Sequence, residues 1–294
     1  MERISQTIET GQHGTRKLIL ILICVVVCVF IIYKVYTPVK QHFYWKSIES
    51  RIQTAKNYSA ENKNEAAMAE YKSLLSELID KNDVSYMSSI FFEMGNSQLN
   101  IAQGSNSETD YEEAIKYFNG ALIGFTKNGY PDKYSAACCN LGIAYRDLWG
   151  INKKTAYIKK AFESYKEALD DFTLIKNNRR CAEVLVDLGI TYAELAKSEN
   201  AEENLQLSIN AYQEAREYWK RDKPNLFLVG IILNNEAAVF KKLAGIRERR
   251  KNLAIAFNLY TEALTIFNGD SYPEYKKLAA KGLEETRKLM TYNK

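Results

Sequence analysis

Asn140-Leu141-Gly142-Ile143-Ala144-Tyr145, followed by Ala161-Phe162-Glu163-Ser164-Tyr165-Lys166-Glu167-Ala168-Leu169, is the stretch that decides the fold. It returns about 47 residues later as Asp187-Leu188-Gly189-Ile190-Thr191-Tyr192, followed by Ser208-Ile209-Asn210-Ala211-Tyr212-Gln213-Glu214-Ala215. A third copy runs Asn235-Glu236-Ala237-Ala238-Val239-Phe240 and then Ala256 to Ala263-Leu264. Stepping the other way gives Gly95 and Gln98, then Ala114, Phe118, Ala121 and Leu122. One step further reaches Ala67, Tyr71, Leu74 and Leu75, where only the second half of the unit is recognisable. A fixed period kept over most of a chain marks a repeat architecture.

Within a copy the spacing is helical. Gly142 and Tyr145 are one turn apart, and Ala161, Tyr165 and Ala168 share one face. The small residues let a partner backbone approach, and the aromatic ring fills the space beside it. Each copy is therefore expected to be two antiparallel helices that bury their apolar stripes only against a neighbouring copy.

At these residues the chain resembles the tetratricopeptide repeat family, whose pattern is a large apolar residue and Leu-Gly-x-x-Tyr on one helix, then Ala-x-x-x-Phe/Tyr-x-x-Ala on the next. Phe91, Cys138, Leu185 and Leu233 match the first position; Met94, Leu141 and Leu188 match the Leu, and Glu236 departs from it. Gly95, Gly142, Gly189 and Ala237 match the Gly, and Gln98, Tyr145, Tyr192 and Phe240 the Tyr. On the second helix Ala114, Ala161, Ser208 and Ala256 come first, then Phe118, Tyr165, Tyr212 and Tyr260, then Ala121, Ala168, Ala215 and Ala263. The period exceeds the family's usual ~34 residues, with the excess expected between the two helices. That is similar to a long-repeat bacterial variant with Asn-Leu just before the second helix (Asn204-Leu205, Asn252-Leu253). The resemblance implies an all-α superhelix, a solenoid of antiparallel helix pairs.

Taken in order, residues 1–17 read as a polar tail. Leu18 to Ile32 is an unbroken apolar run, and counted to Tyr36 it is about 28 Å long as a helix, enough to cross a bilayer if Lys34 snorkels. No small-x-small cleavage site follows, so 18–36 is expected to be an uncleaved single-pass anchor in contact with lipid. Residues 37–83 are expected to hold a degenerate first helix pair, 84–268 four clear repeats and 269–294 a capping helix, with Leu278, Gly282, Leu283 and Leu289 as its apolar stripe. A bacterial inner or plasma membrane is the setting the resemblance implies. Arg3, Arg16 and Lys17 before the span balance Lys34, Lys40, Lys46 and Arg51 after it, so the side facing the repeats stays open.

The chain carries 40 Lys and Arg against 36 Asp and Glu, a formal charge of +4. No basic face of the kind that nucleic-acid readers show is visible, and no nucleic-acid partner is expected. Arg247-Glu248-Arg249-Arg250-Lys251 is expected in a loop between two helices. The two histidines, His13 and His42, lie outside the repeats. No phosphate-binding Gly-Lys-Ser/Thr loop, zinc-binding His pair, Cys-x-x-Cys or Gly-x-Ser-x-Gly occurs. Cys24 and Cys28 lie in the span, and Cys138, Cys139 and Cys181 have no metal or redox spacing. No enzyme, no metal and no cofactor is expected.

What the family resemblance implies is a groove, made mainly by the first helices, that takes an extended peptide or a helix of a protein partner. The position two before the Gly carries Glu93, Asn140, Asp187 and Asn235; one after it comes Asn96; about a turn after it come Arg146, Glu194 and Lys241. These eight residues are the candidate groove. Three and six before the Gly stand Phe92, Cys139, Val186 and Asn234, and Ser89, Ala136, Glu183 and Ile231, without the cations that grip an acidic chain end. The expectation is a membrane-anchored adaptor or scaffold. A self-associating component of a membrane assembly, or a non-catalytic subunit of a membrane enzyme, stands as the alternative.

Overall fold

The computed structural model describes residues 29–30, 34, 37–79, 81–221, 225–268 and 272–291. The tail and, apart from Val29, Phe30 and Lys34, the expected membrane span lie outside the described residues. Among the described residues no helix is long and apolar enough to cross a membrane. They form helices and turns without a strand. The chain divides into two compact units, one up to Leu74 and one from Leu75 onward.

The first unit holds α1 (Thr37–Ala60) and the beginning of α2 (Asn64–Ile79). The chain reverses through Asn62, whose φ of 58° is one that Asn tolerates better than most side chains. Ile48 and Ala55 from α1 and Ala67, Tyr71 and Leu74 from α2 are buried. At the surface the Arg51 guanidinium reaches Glu70 at 2.6 Å and Ser73 at 3.1 Å, tying the two helices together.

The second unit stacks four helix pairs and a last helix: α3 (Val84–Ser105) with α4 (Glu108–Ala121), α5 (Pro131–Asn152) with α6 (Thr155–Leu174), α7 (Asn178–Leu195) with α8 (Ala201–Arg221), α9 (Leu226–Leu243) with α10 (Arg249–Ile266), and α11 (Pro273–Thr291). Starts are set by capping side chains. Asp83 accepts from Tyr86 N–H, Ser107 from Asp110 N–H, Asn177 from Arg180 N–H and Asn225 from Phe227 N–H, while Pro131 opens α5. Successive first helices (α3, α5, α7, α9) touch one another, whereas among the described residues no two second helices do. The first helices therefore crowd onto the inner face of the stack. This is a helical-repeat solenoid.

Three expectations need correction. The long period does not produce a long connection: only Lys153 and Lys154 separate α5 from α6, and the extra residues extend the helices themselves. Asn204-Leu205 and Asn252-Leu253 lie inside the first turn of α8 and α10 rather than before it. Their role is to fasten the loop, because Asn204 Nδ2 donates to Glu199 O at 2.9 Å and Asn252 Nδ2 to Arg247 O at 2.8 Å. Each bond brackets a left-handed residue, Asn200 or Glu248, that turns the chain. Finally, Arg249 to Lys251 begin α10 rather than a solvated loop. Arg247 binds Glu202 and Gln206, and Arg249 reaches Leu289 O on α11.

The core is a column of rings set against glycines. Phe118, Tyr165, Tyr212 and Tyr260 are all buried, and Gly95, Gly142 and Gly189 lie against the first three. Gly282 of α11 meets Tyr260 in the same way, closing the stack. On α11 the buried seam is Ala279, Gly282 and Thr286, and Leu278 points outward at 55% exposure, contrary to the stripe expected. Only small side chains fit where the helix presses on a tyrosine.

Candidate functional site

The polar rows of the inner face are stitched to one another. Asn140 Nδ2 on α5 donates to Asn96 Oδ1 on α3 at 2.7 Å, and Asn96 Nδ2 donates to Glu93 at 3.3 Å. One pair further on, Arg146 on α5 meets Asp187 on α7 at 3.2 Å. Its Nε and Nη2 both contact Asp147 Oδ1 at 2.8 Å, and Nη1 lies 3.5 Å from the Tyr165 hydroxyl. Asp187 also accepts from Cys139 Sγ at 3.8 Å. The Arg146 side chain is 12% exposed and that of Asp187 20%.

Electrostatics follow from this crowding. Burial opposes the Arg146 charge, but Tyr165, Asp147 and Asp187 outweigh it and hold the guanidinium protonated. Burial pushes the Asp187 carboxyl up to about 6, even with Arg146 pulling it down. Burial also drives the Cys139 thiol well above its ordinary range, so it is no thiolate. Arg146 and Asp187 thus turn their polar atoms toward each other across the α5–α7 seam.

The remaining candidates are placed differently. Asn235 is half-buried, and its side chain makes no hydrogen bond among the described residues. Lys241 pairs with Glu285 of α11 at 2.6 Å, and Glu194 with Lys197 in the turn just after its helix at 2.5 Å. Glu194 also stands one residue out of register. The residue equivalent to Arg146 is Ala193, which is buried. No single cluster gathers all eight.

Open space lies on either side of α7. One cleft of about 400 Å³ is bordered by Asn106, Tyr111, Arg146, Asp147, Trp149, Ile190 and Glu194. Burial and the nearby Asp147 push the Tyr111 phenol up to about 12, against Arg146, so it stays neutral. A second cleft of about 190 Å³ is bordered by Glu183, Val186 and Asp187 of α7, Trp219 of α8, and Leu228, Ile231 and Ile232 of α9. Glu183, Val186, Asp187, Ile190 and Glu194 follow helical spacing and form one stripe of α7 that serves both clefts. Val186, Glu183 and Ile231 occupy the positions where cations would grip an acidic chain end. Val186 and Ile231 form an apolar wall instead, and Glu183 sets a carboxylate at its edge, paired with Arg179 and Arg180. Trp219 comes from a second helix, seven residues after Tyr212, where the other pairs carry the buried Phe125, Phe172 and Phe267. The walls offer apolar surface with carboxylates at the rim.

No family model matches the chain, and none of the curated proteins does. Solved structures do resemble it. The "DHF58 filament" is 17% identical over 71% of this chain and 95% of its own, with a TM-score of 0.35. BtubC (BKLC) from P. vanneervenii is 14% identical, covering 83% and 91%, at a TM-score of 0.37. The de novo designed helical repeat protein DHR64 is 16% identical, covering 84% and 94%, at a TM-score of 0.20. Likeness this loose carries no argument about a site.

Proposed function

We propose that this chain is a membrane-anchored tetratricopeptide-type adaptor, held at a bilayer by residues 18–36, that takes a segment of a protein partner along its inner face. The observation that carries the reading is the α7 stripe with a cleft on each side, one polar at the rim and one walled by Val186, Leu228, Ile231 and Trp219. Repeated first helices place such clefts side by side, which suits an extended segment with more than one anchoring side chain. Tethering raises the local concentration of a partner at the same membrane.

Asn140, Arg146 and Asp187 act in this reading as the bracing of the groove. Replacing them would loosen the stack and confuse the test. The informative variant is therefore Ile190→Lys with Ile231→Lys, two half-buried wall positions. Crosslinking in cells, affinity capture and mass spectrometry are run on wild type and variant, with helical content checked first by circular dichroism. Proteins captured by the wild type and lost from the variant support the adaptor reading. Capture of only the chain itself by both contradicts it and favours self-association.

A further inference from the structure

The turns that join one helix pair to the next line up along one edge of the second unit. Ser85, at the start of α3, donates to the Tyr130 hydroxyl just before α5 at 3.0 Å. Asn177, just before α7, donates to Asp132 at the start of α5 at 3.2 Å. Each turn along this row exposes a large apolar side chain: Val84 (44%), Ile123 (74%) and Tyr130 (39%), Leu174 (81%), Leu226 (62%) and Tyr275 (41%). On the opposite edge, among the described residues, the turns within pairs expose Ile246 (48%), and Met290 (43%) stands at the end of α11. Scattered exposed apolar residues are ordinary, but one at every turn along a single edge is not.

Cations accompany the row. Lys133, Lys176, Arg221, Lys276 and Lys277 form no ion pair among the described residues. Of the nearby carboxylates, Asp83 is engaged by the Tyr86 N–H and Asp132 by Asn177, while the exposed Glu274 beside Lys276 and Lys277 is outnumbered by them. We propose that this edge docks on an anionic lipid surface, each apolar side chain entering between headgroups while the neighbouring cations meet phosphates. A protein interface needs a continuous apolar core. Here the side chains stand on turns set about 10 Å apart by helix packing, with charge between them, which is the pattern of an interfacial membrane contact. The inner face is left free, so this contact and the groove do not compete.

The test uses the full-length chain reconstituted into vesicles containing phosphatidylglycerol. A benzophenone amino acid replaces Ile123, Leu174 or Ile246 in turn, and lipid adducts are read by mass spectrometry after irradiation. All three side chains are exposed, so the fold is not at stake. Adducts at 123 and 174 are expected on the order of fivefold or more above those at 246, and they should fall in pure phosphatidylcholine or in the variant Lys133→Gln, Lys176→Gln, Arg221→Gln. Equal yields at the three positions would overturn the proposal. So would crosslinks at 123 and 174 into a second copy of the chain in place of lipid.

Discussion

Gly142 of α5 lies so close to the Tyr165 ring of α6 that a Cβ there would sit 2.5 Å from a ring carbon. Gly189 stands in the same relation to Tyr212, at 2.7 Å. The repeat is thus registered by a ring seated on bare backbone, and a change of one methyl group tests it.

Gly142→Ala would raise helix propensity, which alone stabilises by roughly 0.5–1 kcal/mol. Overpacking against a fully buried tyrosine acts the other way, by about 1–3 kcal/mol, and should win. Gly150→Ala, with nothing within 4 Å of the added carbon, should show the propensity gain alone. Urea unfolding of the two variants is expected to move in opposite directions. A gain for both would mean that the ring does not need the notch.

Asp187 predicts a pH dependence with a definite sign. Its folded carboxyl titrates near 6, above its ordinary 3.8, so the folded state holds the proton more tightly than the unfolded chain. Stability from this group is fullest below pH 4 and is lost as pH rises through 6, by on the order of 2–3 kcal/mol. Asp187→Asn removes that slope. Melting temperatures of wild type and variant, measured from pH 4 to 7, should diverge in the variant's favour as pH rises. Parallel curves would contradict the burial argument.

Arg146 should be costlier to remove alone than together with its partner. Arg146→Met leaves the half-buried Asp147 and Asp187 without their cation, a loss of about 2–3 kcal/mol, below that of a fully buried pair. Adding Asp187→Leu relieves one of those carboxylates and should recover part of the loss. A double-mutant cycle by denaturant unfolding measures the coupling, and additive effects would show that the α5–α7 bridge is not formed.

Asn252→Ala removes the bond to Arg247 O and leaves that carbonyl beside a buried apolar side chain. A cost of about 1–2 kcal/mol is expected, with faster amide exchange confined to residues 245–252. Uniform loss of protection would point to a global effect instead.

Much of this is legible in the amino-acid sequence. The period, the helix pairs and the glycine-to-ring seam repeat at fixed offsets, so each copy reinforces the reading of the others. The inner-face bracing was not legible, because Arg146 and Asp187 are 41 residues apart and only the tilt of α5 on α7 selects that pairing from many. Trp219 is a different case. It enters the second cleft from the end of a second helix, at a position that repeats as Phe125, Phe172 and Phe267, so the period marked it as a buried ring but not as a cleft wall. Leu278 misled because hydrophobicity suggests burial, whereas the approach of Tyr260 admits only Ala279, Gly282 and Thr286 at the seam.

The central claim is that the inner face receives a partner, and site-directed photocrosslinking in cells tests it most directly. A benzophenone amino acid is placed at Ile231, on the wall of the second cleft, or at Leu207, on a second helix. The account predicts a crosslinked partner of a different mass from the chain at 231 and none at 207. Adducts at 207 instead, or a homodimer as the sole product at 231, would contradict it.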